Sequence, residues 1–481
     1  MSDPVRPTYS KDEPPMTAHP TIPRDKALKV NLDPLHYGTF AEIGAGQEVV
    51  RWFFQAGGAA GTIAKSISAY DMKVSDAIYG SCARYVCRER LQAMLDYEQG
   101  LNLERLGGLR GANSTFFAFA DTVSARNFHG TNECHGWLGI KFQTQPGGDS
   151  SQIIIHVRML DVENALQQDA LGIVGVNLVY GACFLHDRPE QLLESLLDGL
   201  NTHRIEIDLI EFLGEAFRPV DNRVMSLRLV QLGLTGAAMF SAAGQVLQPS
   251  EVLYKKPVLV ERGRFRPVTH VNLDLAAAAL ERFERDAVDV LPGETVSIME
   301  ITMRNLLAQG EVDLSDFLSR ADVLATTGHT VMISDFVEYY RLAAYLFRYT
   351  TRPIGLAMGA MNLREIFNED YYAHLEGGIL ESFGRLFKNN LRLLVYPYID
   401  QTTKALITIE DLQVEPSLRQ LFGYLVERGC IVQLTEFNRD YLNIHSPDVL
   451  SKISATDTEW ESMVPAKVAE AIKTNKLFGY G

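Results

Sequence analysis

Long apolar runs are missing from this chain. No window of its 481 residues reaches the 18 or so uninterrupted apolar residues that a membrane helix needs. Cysteine is scarce: Cys82, Cys87, Cys134, Cys183 and Cys430 form an odd, mostly wide-spaced set without a C-x-x-C pair. That excludes a disulfide-dense secreted scaffold and a zinc ribbon. The five read as reduced thiols, and the expected compartment is the cytoplasm. A positive balance is also absent, since 45 Lys and Arg stand against 60 Asp and Glu for a net charge of −15. A chain devoted to nucleic acid or to an anionic membrane would carry a basic footprint, so neither is an expected partner. Residues 1–28 are proline-rich, carry charges of both signs and have no apolar core, and they are expected to form a disordered tail without a secretory signal.

What is present is globular. Hydrophobic residues make up 46% of the chain and charged residues 22%, as in an average soluble domain, and the length suits two or three domains of about 150 residues. From Lys29 onward, apolar stretches of strand length alternate with amphipathic stretches of helix length. The expected class is α/β, with mixed or mostly parallel sheets flanked by helices. Strands are expected at Gln152–Val157, Gly172–Val179, Arg204–Ile210, Thr330–Ile333 and Leu391–Val395. Helices are expected at Glu48–Ala56, Ala83–Glu98, Pro189–Asn201, Leu275–Asp286, Phe336–Thr350 and Tyr371–Asn389. A break at Leu291-Pro292-Gly293 places a division near residue 290, giving domains at 29–290 and 291–481.

Several segments carry groups suited to chemistry. Thr39–Gly61 runs from an apolar stretch through Gly44-Ala45-Gly46 into a helix, the geometry that lets backbone N–H groups and a helix N-terminus receive a phosphate. The third glycine of a dinucleotide fingerprint would be residue 49, which is valine, so a ligand-free tight turn is the competing reading. Downstream, Gly57-Gly58-Ala59-Ala60-Gly61 leads to Lys65-Ser66, the ingredients of a phosphate loop with Ala64 where the Walker glycine belongs. Phe116–Trp137 gathers Asp121, His129, Glu133, Cys134 and His135 in a polar, glycine-punctuated segment. His129 or His135 would serve as general acid and base, with Asp121 or Glu133 orienting it; a polar structural loop is the alternative.

In Arg204–Glu211 the alternation puts Glu206 and Asp208 on one strand face, where paired carboxylates would suit Mg²⁺. No other cofactor is suggested, and an exposed edge strand gives the same pattern. Tyr254–His270 concentrates Lys255, Lys256, Arg262, Arg264, Arg266 and His270 in an acidic protein, which suits an anionic small molecule or, alternatively, a solvated hairpin. Asp335 and Gly355–Asn362 follow strand candidates, at the ends where open α/β sheets bind ligands.

The runs HYGTFAEIGAGQEVVRWFF, FAFADTVSARNFHGTNECHGW, EVLYKKPVLVERGRFRPVTHVN, RPIGLAMGAMNLREIF and MVPAKVAEAIKTNKLFGY resemble a large family of bacterial proteins of about this length, over residues 29 to the end. Its members carry two conflicting labels, TonB-dependent receptor and nicotinate-nucleotide adenylyltransferase. A receptor of that kind needs some twenty alternating membrane strands, which the chain does not show. An adenylyltransferase would show an H-x-G-H signature; His129-Gly130 and His135-Gly136 lack the second histidine. The leading expectation is a cytoplasmic enzyme acting on a phosphorylated or nucleotide-like metabolite by nucleotidyl or phosphoryl transfer. The rival is a non-catalytic homo-oligomeric scaffold.

Overall fold

The computed structural model describes residues 21–287, 290–308 and 311–481. The chain divides into two compact units. Unit 1 takes residues up to Gln152 and Met159–Ile205, and unit 2 takes Ile153–Arg158 and Glu206–Gly481. The expected division near residue 290 therefore falls inside unit 2. Turn-forming residues at 291–293 lie between the helix that ends at Asp286 and the strand that begins at Val296, a connection that local composition does not distinguish from a domain linker.

Unit 1 begins with α1 (Pro23–Leu32), β1 (His36–Gly44), α2 (Val49–Ala56), β2 (Ile63–Ala69), α3 (Met72–Tyr79), α4 (Arg88–Arg110), β3 (Thr115–Ser124) and β4 (His135–Gln143). After β5 (Ser150–Met159) come α5 (Asn164–Phe184) and α6 (Pro189–Ser195). The strands lie in the order β2-β1-β3-β4, parallel for the first three and antiparallel between β3 and β4. The expected tail overlaps α1, which starts at Pro23, where proline is tolerated at a first helical position. Lys26 in that helix is fully buried, with Nζ 2.7 Å from Asp198 and 2.9 Å from Asn177 Oδ1, so the folded body already includes it.

Gly172–Val179, expected as a strand, is the middle of α5. A continuous apolar run has no period that separates a buried strand from a buried helix. The glycines carry the missing signal. A Cβ on Gly175 would stand 2.3 Å from Val49 Cγ2, and one on Gly172 2.9 Å from Trp52 Nε1, so glycine lets α5 lie against α2.

Unit 2 holds most of β6 (Ile205–Leu213), which neighbours β5. Then come α7 (Asn222–Gln231), β7 (Ala237–Phe240), β8 (Val246–Leu247), α8 (Pro249–Leu253), β9 (Val258–Arg262), α9 (His270–Asp286) and β10 (Val296–Thr302). A short helix α10 (Met303–Leu306) and a small hairpin of β11 (Leu307–Ala308) and β12 (Glu311–Val312) precede α11 (Leu314–Ala325), β13 (Thr330–Ser334), α12 (Tyr339–Leu346) and β14 (Ile354–Gly359). The chain continues through α13 (Ala360–Ile366), α14 (Gly378–Leu386), β15 (Leu391–Tyr396), the small hairpin β16 (Tyr398–Ile399) and β17 (Leu406–Ile407), α15 (Arg419–Glu427), β18 (Ile431–Gln433), α16 (Ser446–Ser454) and α17 (Ala466–Asn475).

Eight of these strands form one sheet in the order β18-β15-β14-β9-β10-β13-β7-β8. The six from β18 to β13 are all parallel, and β7 and β8 add an antiparallel edge. Helices cover both faces. Val258, Val260, Leu356 and Leu393 pack with residues of α12, α13, α14 and α15, while Leu259, Ala357 and Leu394 pack with α9. Alternate residues of each strand thus serve opposite cores, which is why these strands read as continuous apolar runs. From β9, the chain builds outward through β10 and β13, then returns to the other side of β9 for β14, β15 and β18. This is the doubly wound order in which ligands bind where the strand order reverses, here between β9 and β14. The fold is α/β with mixed sheets flanked by helices, as expected.

Candidate functional site

A cleft of about 570 Å³ opens beyond the carboxyl ends of β9, β10, β13 and β14. It is built from the turns that leave these strands: Arg262–Phe265 after β9, Thr302–Asn305 after β10, Val337–Tyr339 after β13, and Asn362–Ile366 on α13. Parallel strands bring their carboxyl ends to one edge, so residues 100 positions apart in sequence share this cleft.

Arg262, expected to bind an anion, lines the cleft but is already committed. Its Nε and Nη2 donate to the two oxygens of fully buried Glu300, at 2.8 and 3.0 Å, and Nη1 donates to the Val337 carbonyl at 2.9 Å. The guanidinium lies over the Tyr339 ring at 4.3 Å. Bidentate geometry of this kind fixes orientation, so Arg262 is a wall of the cleft. Gly263 follows, and a Cβ there would meet the Phe265 ring at 2.8 Å. Glycine thus permits the close turn that presents Arg264.

Arg264 and Arg304 are different. Both are exposed, both line the cleft, and neither has an ion-paired carboxylate among the described residues. Glu338 faces the same space, with Arg341 at 3.7 Å and His374 at 3.6 Å, and Glu365 lies on α13. Arg264 belongs to the basic stretch read from the sequence. Arg304 and Glu338 belong to no motif in the sequence, and their place shortly after a strand end is the one positional signal that finds them.

The rest of the basic stretch disperses. Lys255 and Lys256 are exposed at the opposite end of β9, preceding it. A five-residue strand spans about 16 Å, so these lysines and Arg264 serve different edges of the sheet. Arg266 pairs with Asp316, and His270 stacks on Tyr441 with ring centroids 4.8 Å apart. Burial lowers the His270 pKa, which favours its neutral form.

Glu206 and Asp208 share a strand face, but not as a metal site. Glu206 accepts from Arg158 at 2.5 Å, Arg348 at 3.2 Å and Thr235 at 2.8 Å. Asp208 is buried against His156 Nδ1 at 2.5 Å. Both carboxylates thus already have partners within the protein, two arginines and a threonine for Glu206 and an imidazole for Asp208. No group of three or more His, Cys, Asp or Glu side chains with metal-holding geometry occurs among the described residues.

In unit 1 the expected phosphate turn is filled from within. The N–H groups of Val49 and Val50, at the start of α2, donate to Glu42 at 2.9 and 3.3 Å. The protein's own carboxyl group therefore occupies the helix N-terminus that sequence offered to a phosphate. Gly44 has φ of 72° and hugs Val123, and a Cβ on Gly46 would stand 2.0 Å from Asp121 Oδ1. Both glycines serve the turn. Lys65 pairs with buried Glu98, and Ser66 is an exposed residue within β2, so the apparent phosphate loop is an edge strand.

Asp121 is fully buried and lies opposite Glu42 in the β1/β3 register. Burial and then the Glu42 charge raise its pKa well above the carboxylate range, while burial raises Glu42 to about 7. Asp121 therefore orients no histidine. His129 is exposed, stacked edge-on to Phe128, Glu133 is exposed, and His135 opens β4 opposite Ser124. The sequence cluster spans a buried strand, an exposed loop and a strand start, so proximity along the chain does not become proximity in space.

Unit 1 also has a cleft, of about 820 Å³, beyond the carboxyl ends of β1, β2 and β3. Its lining includes Gln47, Tyr70, Tyr85, Thr122 and Asn132, and among the described residues its charged lining side chains are Asp71 and Arg126. Asp71 caps α3 by accepting from Lys73 and Val74, and Arg126 donates to the Val162 carbonyl at 2.9 Å.

Together these features define a class: an α/β protein whose doubly wound sheet presents an arginine-bearing cleft at its strand-order reversal. No protein-family model and no curated protein matches the chain. Solved structures that match include the competence/damage inducible protein CihA from Agrobacterium tumefaciens, at 13% identity and a TM-score of 0.24, over 33% of this chain and 93% of that one. A competence-damaged protein (CinA) superfamily protein from Klebsiella pneumoniae matches at 14% identity and 0.26, over 34% and 96%. One from Enterobacter cloacae matches at 10% identity and 0.25, over 37% and 99%. Among the described residues, no helix is long and apolar enough to cross a membrane.

Proposed function

We propose that unit 2 binds a phosphorylated, nucleotide-like small metabolite in the switch-point cleft and that the protein is an enzyme acting at that phosphate. The observation that carries this reading is the pair Arg264 and Arg304, two guanidinium groups without ion-paired carboxylates among the described residues of a strongly acidic chain, at the edge of the sheet where such folds bind ligands. A guanidinium fork matches phosphate oxygens and stays charged at every working pH. Tyr339 and Tyr371 add aromatic surface to the same space, which suits a base or another flat group. In a phosphoryl or nucleotidyl transfer the two arginines would hold the charge that builds on the transferred group. Glu338 and Glu365 are the carboxylates placed to move a proton there. The first turn lacks the glycine pattern of dinucleotide sites, reading Glu261-Arg262-Gly263-Arg264, so side chains rather than backbone N–H groups would take the phosphate.

Thermal-shift and calorimetric titration with AMP, ADP, ATP, ribose 5-phosphate and pyrophosphate, with and without Mg²⁺, test this. We expect at least one to stabilise the protein, with affinity that weakens as salt rises. The Arg264→Ala and Arg304→Ala variants should each weaken binding about ten- to hundredfold, the worth of a charged hydrogen bond. Binding unchanged in the double variant, or no response to any of the five, would overturn the proposal.

A further inference from the structure

Sequence spacing gave no reason to pair any of the five cysteines, yet two of them meet in unit 1. Cys82 Sγ and Cys87 Sγ are 3.6 Å apart, and no other two thiols are in contact among the described residues. An S–S bond is about 2.0 Å long, so bonding requires two sulfurs already in contact to move closer. The two differ in setting. Cys82 is half-buried in the turn ahead of α4 and open to solvent, while Cys87 is 3% exposed and caps that helix. The Cys87 sulfur accepts from Arg90 N–H at 3.4 Å and donates to the Arg84 carbonyl at 3.0 Å.

We propose that Cys82 and Cys87 are a redox site that forms a reversible disulfide with a peroxide as oxidant, and that this bond closes one wall of the unit 1 cleft. Cys82 is the attacking group because it is the accessible one. Its thiolate attacks one oxygen of hydrogen peroxide; the S–O bond forms as the O–O bond breaks, leaving a sulfenic acid and, after protonation of the departing hydroxide, water. The Cys87 sulfur then attacks the Cys82 sulfur. The S–S bond forms, the S–O bond breaks, and the departing hydroxide leaves as a second water with the Cys87 proton. Two thiols and one peroxide thus give one disulfide and two waters, and a dithiol reductant reverses the oxidation. Burial raises the Cys87 pKa to about 12, which suits a thiol that waits for an activated partner instead of meeting the oxidant itself.

The consequence for the cleft follows from the four residues between the cysteines. Tyr85 and Val86 line it, and the turn is already moored at two points. Thr122 Oγ1 donates to the Tyr85 carbonyl at 2.6 Å, and the Tyr85 hydroxyl donates to Asp76 at 2.9 Å. A covalent loop over residues 82–87 fixes that wall further and removes the Cys87 hydrogen bond to Arg84.

The full chain, reduced and then treated with a small excess of hydrogen peroxide, tests the proposal. After denaturation the titratable thiols should fall from five to three, and a peptide map should join Cys82 to Cys87 within one chain. Dithiothreitol should restore all five. In Cys87→Ser, where serine keeps a capping oxygen, peroxide should leave a sulfenic acid at Cys82 that dimedone traps. In Cys82→Ser neither product should form. Backbone amides over residues 82–90 should exchange more slowly after oxidation and recover on reduction. Five thiols remaining, or a disulfide that maps to other cysteines, would overturn the site; unchanged exchange would overturn the closed wall.

Discussion

Both units gather the carboxyl ends of parallel strands at a cleft, and the two clefts have opposite chemistry. In unit 2 buried Glu300 is matched by Arg262, which lines the cleft, and two further guanidiniums, Arg264 and Arg304, line it as well. In unit 1 buried Glu42 meets a second acid, Asp121, and the cleft beyond is lined mainly by uncharged residues, with Asp71 and Arg126 as its charged ones among the described residues. The shared backbone arrangement fixes where a ligand would sit. The buried acids are neutralised differently: Glu300 by the Arg262 cation, and Glu42 and Asp121 by a raised pKa that favours the protonated form.

The largest expected effect separates these two modes. Glu300→Ala strands a buried Arg262 and should cost about 3–5 kcal/mol, read as a fall in the denaturation midpoint. Asp121→Asn, which removes one of two competing acids, should cost far less or stabilise, and an equal loss from both would erase the distinction. Gly46→Ala comes next, since its methyl would overlap the Asp121 carboxyl. It should cost about 1–3 kcal/mol by chemical denaturation, as overpacking does.

A smaller and graded effect is the pH dependence. Glu42 has a folded pKa of about 7 against an ordinary 4.5, so the folded state holds a proton that the unfolded chain gives up. That contribution to stability is complete below pH 4.5, declines as pH rises to about 7, and is lost above it. Buried Glu261 in unit 2, raised to about 8, adds a decline that ends one unit later. Denaturation curves from pH 4.5 to 8 should show stability contributed by these groups falling. Glu42→Gln should make the decline between pH 4.5 and 7 shallower, and Glu261→Gln should remove the part between 7 and 8. The smallest effect is a null one: alanine at both His129 and His135 should leave anion binding in the unit 2 cleft unchanged by calorimetry.

Much of the fold was legible because buried parallel strands and amphipathic helices leave periodic traces. β5, β6, β13 and β15, and α2 and α9, appear close to where the pattern put them. The apolar run of α5 is uniform and carries no period that marks a helix. The site was legible only in part. The stretch containing Arg262, Arg264 and Arg266 was marked as anion-binding, but the cleft leaves only Arg264 of those three without an acidic partner. Its companion Arg304 lies 40 positions on, after a different strand.

Composition and periodicity by themselves determined the α/β class, the acidic balance and the alternation of helices with strands, because these follow from local spacing and from counts. Tertiary structure decided which charges are free. Lys65, Arg262, Arg266, Glu206 and Asp208 all look available in sequence and are all paired in space with groups from distant elements. The same long-range closure brought Arg264 to Arg304 at one sheet edge and set Glu42 against Asp121, pairs that no local pattern can announce.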